Sequence, residues 1–133
     1  MQTWHPWQLD SVLVAWALTQ AQSPPPVFES LPRGEPIPPG RAIDTPDSPF
    51  RRTGQRTAFE EAVRHSGLTH RCVPLLRDAV RVVELAAWRK PEFPAVEAFE
   101  ARVLAVIPAQ PMRGGLAPAL AEVERYCKEG GPP

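Results

Sequence analysis

The stretch TAFEEAVRHSGLTHRCVPLLRDAVRVVELAAW, Thr57 to Trp88, decides how the rest of the chain is read. Thr57 stands at an N-cap position, and the Glu60 carboxylate three residues on reaches back to the cap amide to close a capping box. Phe59, Ala62, Val63 and Ser66 follow at helical spacing, and Gly67 accepts the positive φ that ends a helix without a Cβ penalty. The second helix opens at Pro74, with Thr69 as the alternative start. Proline suits a first turn, where its missing N–H is not needed, and would cost about 3 kcal/mol in a helix interior. From there Leu76, Ala79, Val80, Val83 and Ala87 recur as a buried stripe, which Leu75, Val82 and Trp88 widen. A stripe that wide expects neighbours on two sides.

Toward the N-terminus, Trp7 to Gln22 reads as an amphipathic helix with Pro6 in its first turn and Leu9, Val12, Leu13 and Trp16 as its stripe. A helix this short is marginal alone, so the stripe is buried on the later helices or on a partner. Trp4, Trp7 and Trp16 are therefore the partner-binding candidates. The run Val12 to Leu18 lacks the basic flank of a secretory signal and abuts Asp10, so it is read as helix.

Residues Ser23 to Thr53 have neither helical nor strand period, and their prolines favour an extended arm or linker. Val27, Phe28, Leu31, Ile37 and Ile43 expect parts of that arm to lie along the helices. Its PxxP spacings, Pro36 to Pro39 and Pro46 to Pro49, are what dense proline yields by chance. Beyond Trp88, prolines end the long helix and Pro94 opens another, with Val96, Phe99, Val103, Leu104 and Ile107 inward until Pro108 and Pro111 stop it. Gly114 and Gly115 turn the chain into a last helix from about Leu116 or Pro118 to Lys128. The expected fold class is all-α: a small bundle of about five helices with a long proline-rich arm between helix 1 and the core. Its parts are residues 1–22, an N-terminal amphipathic helix; 23–56, the arm; 57–128, the helical core; and 129–133, a disordered tail.

A chain of 133 residues fits one domain, and its eighteen prolines exceed what an ordinary globular domain of that size carries. Formal charge is zero but unevenly spread. Residues 51 to 90 hold nine basic side chains against four acidic, whereas residues 91 to 133 hold four against six. Cys72 and Cys127 cannot make a disulfide framework and read as small apolar side chains in helices, so a reducing cytoplasm is the default. No apolar run approaches the length of a membrane span.

His65, His70, Cys72 and Cys127 match no zinc-ligand spacing, and Glu60, Glu61, Glu97 and Glu100 sit where helix-face carboxylates ordinarily sit. No phosphate loop, nucleophile elbow or His–carboxylate pair stands out, so no enzyme, metal or cofactor is expected. Two stretches resemble helix-turn-helix patterns. Glu60 to Asp78 does so at Gly67, Leu68, Thr69 and Val73. By that resemblance His70 and Arg71 face base edges, while Arg64 and Arg77 contact phosphates. The second, Phe99 to Glu124, read together with Phe59 to Trp88, resembles region 4 of sigma factors and phage late-gene antitermination-type regulators. In it Leu104, Ala105, Val106 and Ile107 take the place of the turn, and Met112 and Arg113 start the reading helix.

The resemblance and the basic middle together imply a small DNA- or transcription-complex-binding regulatory protein, and the resemblance implies a phage-borne one. Its nucleic-acid contacts are Arg51, Arg52, Arg56, Arg64, His70, Arg71, Arg77 and Arg81. The alternative is a non-catalytic helical interaction or assembly module, gripping a protein partner or a second copy through the Trp-rich first helix and the arm.

Overall fold

The computed structural model describes residues 1–130. Among these residues the chain forms five α-helices: α1 Leu9–Ala21, α2 Ala58–Ser66, α3 Val73–Leu85, α4 Pro94–Ala105 and α5 Ala117–Glu129. Two short strands, β1 Gln2–Trp4 and β2 Glu29–Leu31, pair in parallel, so the fold is predominantly helical without being strictly all-α. The expected tail at 129–133 lies, from residue 131 on, outside the described residues.

The sequence is most explicit at α2. Thr57 Oγ1 accepts the Glu60 N–H at 3.2 Å, the Glu60 carboxylate accepts the Thr57 N–H at 3.3 Å, and Gly67 closes the helix at φ 66°. Prolines open the later helices as expected: Pro74, Pro94 and Pro118 each occupy a first turn. Helix α4 stops at Ala105, short of Ile107, because the Val106 and Ile107 amides turn back to Val103 and Leu104.

The first helix departs from the amphipathic reading. Every residue from Leu9 to Leu18 is buried, Asp10 and Ser11 included. A helix apolar on all sides belongs at the centre of a fold. Helix α1 accordingly touches α2, α3, α4 and α5. It is the core and not a separate N-terminal unit. Pro6 precedes it instead of opening it; Gln8 and Ser11 cap it, with the Gln8 N–H donating to Ser11 Oγ at 2.9 Å. Around it Trp16, Phe59, Leu76, Val80, Phe99 and Val123 close the interior, and Phe99 stacks on Tyr126 at 4.0 Å between ring centroids.

The proline-rich segment is stitched to this core. Met112 O accepts the Ser30 N–H, Phe28 O accepts the Gly114 N–H, and Gln2 O accepts the Ile43 N–H, so four chain segments lie side by side. Phe28, Ala42, Ile43, Thr45 and Ser48 are buried. Strands of three residues separated by prolines leave no readable alternation, which is why this layer is silent in the sequence.

Cys72 and Cys127 are not free. They form a disulfide with a Cα–Cα distance of 5.7 Å, joining the start of α3 to the end of α5. Two cysteines give no framework but do allow one bridge, and both lie on inward faces at helix ends brought together by the fold.

Candidate interaction clefts

The polar centre is Arg52. Its guanidinium donates to the carboxylates of Asp44 and Glu84 and to Gln8 Oε1 at 2.8 Å, with the Asp10 carboxylate at 3.8 Å. Asp10 is wholly buried in α1 and accepts the backbone N–H groups of Ala58 at 2.9 Å and Phe59 at 2.8 Å. It thereby satisfies two amides that the first turn of α2 cannot bond internally. One guanidinium facing three carboxylates leaves the cluster net negative. Burial, with Asp44 adding to it, pushes the Asp10 carboxyl up to about 7 against the pull of the two amides and Arg52. Burial also raises Glu84, while hydrogen bonding to Asp44 raises Arg52.

Two clefts meet at this cluster, sharing Pro6, Gln8 and Arg52. The larger, about 640 Å³, lies between the His5–Leu9 stretch, the end of α3 and the end of α4. Trp7, Leu9, Val83, Leu104, Ile107 and Pro108 make its apolar wall. Its charged groups are internally matched: Glu84 with Arg52, and Glu100 with Lys90 at 2.8 Å. Among its lining atoms, His5 Nδ1 is buried without a hydrogen-bond partner. Leu104, expected inward, is exposed at its edge, and exposed Met112 lies beside Pro108 over Gly115. The smaller cleft, about 360 Å³, is polar and lies on the other side of Arg52, between β1 and the arm.

The eight expected nucleic-acid contacts fall in different places. Arg51 and Arg52 line the smaller cleft. Arg56, Arg64 and Arg77 surround a groove between α2 and α3, and Arg81 sits close by on Glu60. Most of that charge is answered within the fold. Arg56 and Arg64 pair with Glu61 at 3.2 and 2.7 Å, and Arg81 pairs with Glu60 at 2.8 Å. Burial pushes Glu61 up, but its bonds to Arg64 and Arg56 outweigh that and hold it below the usual carboxylate range. Arg77 faces only its exposed neighbour Asp78, and Arg71 is exposed without a carboxylate partner among the described residues.

Neither helix-turn-helix stretch has the expected geometry. Six residues, Gly67 to Cys72, separate α2 from α3, against the three or four of such a turn. His70 and Arg71 lie in that loop, ahead of the helix; His70 accepts the Cys72 N–H on Nδ1 at 3.0 Å and sets its ring edge-on to Trp16. Met112 and Arg113 start no helix: they run alongside β2, and α5 begins only at Ala117.

The aromatic candidates also change role. Trp7 and Trp16 are buried in the core, Trp16 Nε1 donating to Glu124 at 2.7 Å and Trp7 reaching the surface only at the wall of the larger cleft. Trp4 is half-buried and donates to Glu35 O. The exposed tryptophan is Trp88, at 78 % of its full exposure, which helical spacing had assigned to the interior. It falls beyond the end of α3 in a short 3-10 turn, Ala87–Glu92, so the α-helical phase no longer applies. No group of three or more His, Cys, Asp or Glu side chains among the described residues is placed to hold a metal ion. No helix among them is long and apolar enough to cross a membrane.

The fold and clefts define a helical protein built round a buried first helix, pinned by one disulfide and one charge cluster. No family model, curated protein or solved structure matches this chain.

Proposed function

We propose that this protein is a non-catalytic helical interaction module that seats an apolar segment of a partner protein in the larger cleft. The observation that carries the reading is the combination of an apolar wall with a rim whose charged side chains are already paired. Leu104, Ile107 and Pro108 face the opening while Arg52, Glu84, Lys90 and Glu100 are already paired. A charged ligand meets no unanswered partner there, whereas apolar side chains gain burial at about 25 cal/mol per Å². Exposed Leu104 and Met112 extend the contact beyond the cleft, as the apolar centre of a protein interface does.

The test is a photo-crosslinking side chain at position 104 in the full chain, in its own cells, with position 71 as the control on the α2–α3 loop. Discrete adducts from 104 that are missing from 71 support the reading, and an adduct of twice the chain mass makes the partner a second copy. Equal labelling from both positions, or none from 104, rejects it.

A second reading, a nucleic-acid-binding regulator, keeps one observation in its favour: Arg56, Arg64 and Arg77 share a groove between α2 and α3, and Arg71 is exposed on the loop joining those helices. Glu60 and Glu61 on the same face weaken it, because phosphates must displace carboxylates that are already bonded. A mobility shift on duplex DNA at low salt that Arg77→Ala and Arg71→Ala abolish would make it the better reading. As to location, the Cys72–Cys127 bridge favours an oxidising compartment over the cytoplasm that two free thiols suggest.

A further inference from the structure

The smaller cleft carries a different charge balance from the larger one, and the sequence builds it from three separate places. β1 turns Thr3 inward and leaves Trp4 at the rim. The turn after β2 is closed by the Glu35 N–H on Pro32 O, and Glu35 O accepts Trp4 Nε1 at 2.8 Å. That bond fixes the indole against the turn and puts the Arg33 guanidinium over its ring, 5.8 Å from the centroid. From the other side the arm brings Thr45, Pro46 and Arg51.

Arg33, Arg51 and Arg52 line the cleft against a single carboxylate, Asp44, which is bonded to Arg52. Arg33 and Arg51 pair with no carboxylate among the described residues; Arg51 makes only a long 3.4 Å bond to Ser48 O. Two guanidiniums therefore face one opening with nearly all of their ten donors free. The Thr45 hydroxyl, on the same wall, makes no hydrogen bond among the described residues. Arginine pairs are the side chains best matched to the oxygens of a phosphate, because each fork donates two parallel bonds. The volume, about 360 Å³, suits a small ligand, and Trp4, Pro6 and Pro46 offer flat apolar walls for a ring attached to the phosphate.

The geometry points to a binding site for a small phosphate monoester, its dianion held between Arg33 and Arg51 and its body against Trp4 and Pro46. The residues that would hold the phosphate, Arg33 and Arg51, do not line the apolar cleft, and the assignment does not rest on the function proposed for it. A diester, with one negative charge fewer, binds less tightly, which separates a free monoester from the backbone of a nucleic acid.

The experiment follows the Arg Nε–Hε signals of the full oxidised chain by NMR at low ionic strength, with inorganic phosphate, phenyl phosphate and dimethyl phosphate as probes. Phenyl phosphate is expected to shift two Arg signals, lost in Arg33→Gln and Arg51→Gln respectively, with a Kd below about 1 mM. Inorganic phosphate binds several-fold more weakly and dimethyl phosphate weakest. Arg33→Gln and Arg51→Gln each weaken phenyl phosphate about tenfold, the effect of one charge-assisted bond pair, while Arg71→Gln leaves it unchanged. Both substituted residues are exposed, and unaltered amide spectra will show that the variants are folded. No saturable shift up to about 10 mM, equal binding of the diester, or an equal loss in Arg71→Gln overturns the assignment.

Discussion

Asp10 and Phe59, forty-nine residues apart, are joined by a hydrogen bond in which the Phe59 backbone N–H donates to the Asp10 carboxylate at 2.8 Å. The neighbouring Ala58 N–H donates to the other oxygen at 2.9 Å. The central helix thus caps the helix that follows the arm. Replacing Asp10 by Ala strands two buried amides at about 1–3 kcal/mol each, so urea unfolding should show a loss of about 3–5 kcal/mol. A loss under about 1 kcal/mol would contradict the capping role.

The same carboxyl makes stability depend on pH in a stated direction. Its value is about 7 when folded against 3.8 as the ordinary reference, so between those limits the folded state holds the extra proton. Stability from this group is full near pH 4, falls as pH rises toward 7, and is level above that. Glu84, also raised by burial, adds to the fall. Unfolding free energies measured from pH 4 to 8 should decline by up to about 1.4 kcal/mol per unit per proton. Asp10→Asn, which cannot titrate, should flatten that decline, and a variant profile parallel to the wild type would rule Asp10 out as its source.

The disulfide closes a loop between residues 55 apart in sequence. Chain entropy assigns such a crosslink about 4 kcal/mol. Thermal unfolding of Cys72→Ser/Cys127→Ser should therefore begin from a Tm about 10–15 °C below that of the oxidised protein. Reductant should lower the wild type to the same point and leave the double variant unaffected. Equal Tm values in oxidised and reduced wild type would mean that the bridge holds nothing the packing does not hold already.

Two arginines from one basic-rich segment should behave differently. Arg52→Met leaves Asp10, Asp44 and Glu84 facing one another without a cation, a loss of about 3–5 kcal/mol. Arg71→Ala removes an exposed side chain with no carboxylate partner and should change stability by less than about 0.5 kcal/mol. Chemical denaturation of both variants, in parallel, tests the ordering; a costlier Arg71→Ala would refute the cluster.

Local signals were legible where the chain speaks to itself within a few residues. The Thr57–Glu60 capping box, the glycine stop at Gly67 and the prolines that open α3, α4 and α5 all depend on neighbours three or four positions away. The sequence alone therefore determined where the later helices begin and most of the positions they bury, but not where they end: Ala87, Trp88 and Leu104, all expected inward, are exposed. Pairings across the chain depend on which elements meet, and only the tertiary structure decided them: Asp10 on the start of α2, Arg52 among three carboxylates, Cys72 against Cys127, and the arm hydrogen-bonded to β1 and to the loop before α5. Charge counting made residues 51 to 90 a basic surface. Folding then set carboxylates from α1, α2, α3 and the arm beside many of those same arginines, because a charge is neutralised by what lies within a few ångströms and not by what lies near it along the chain.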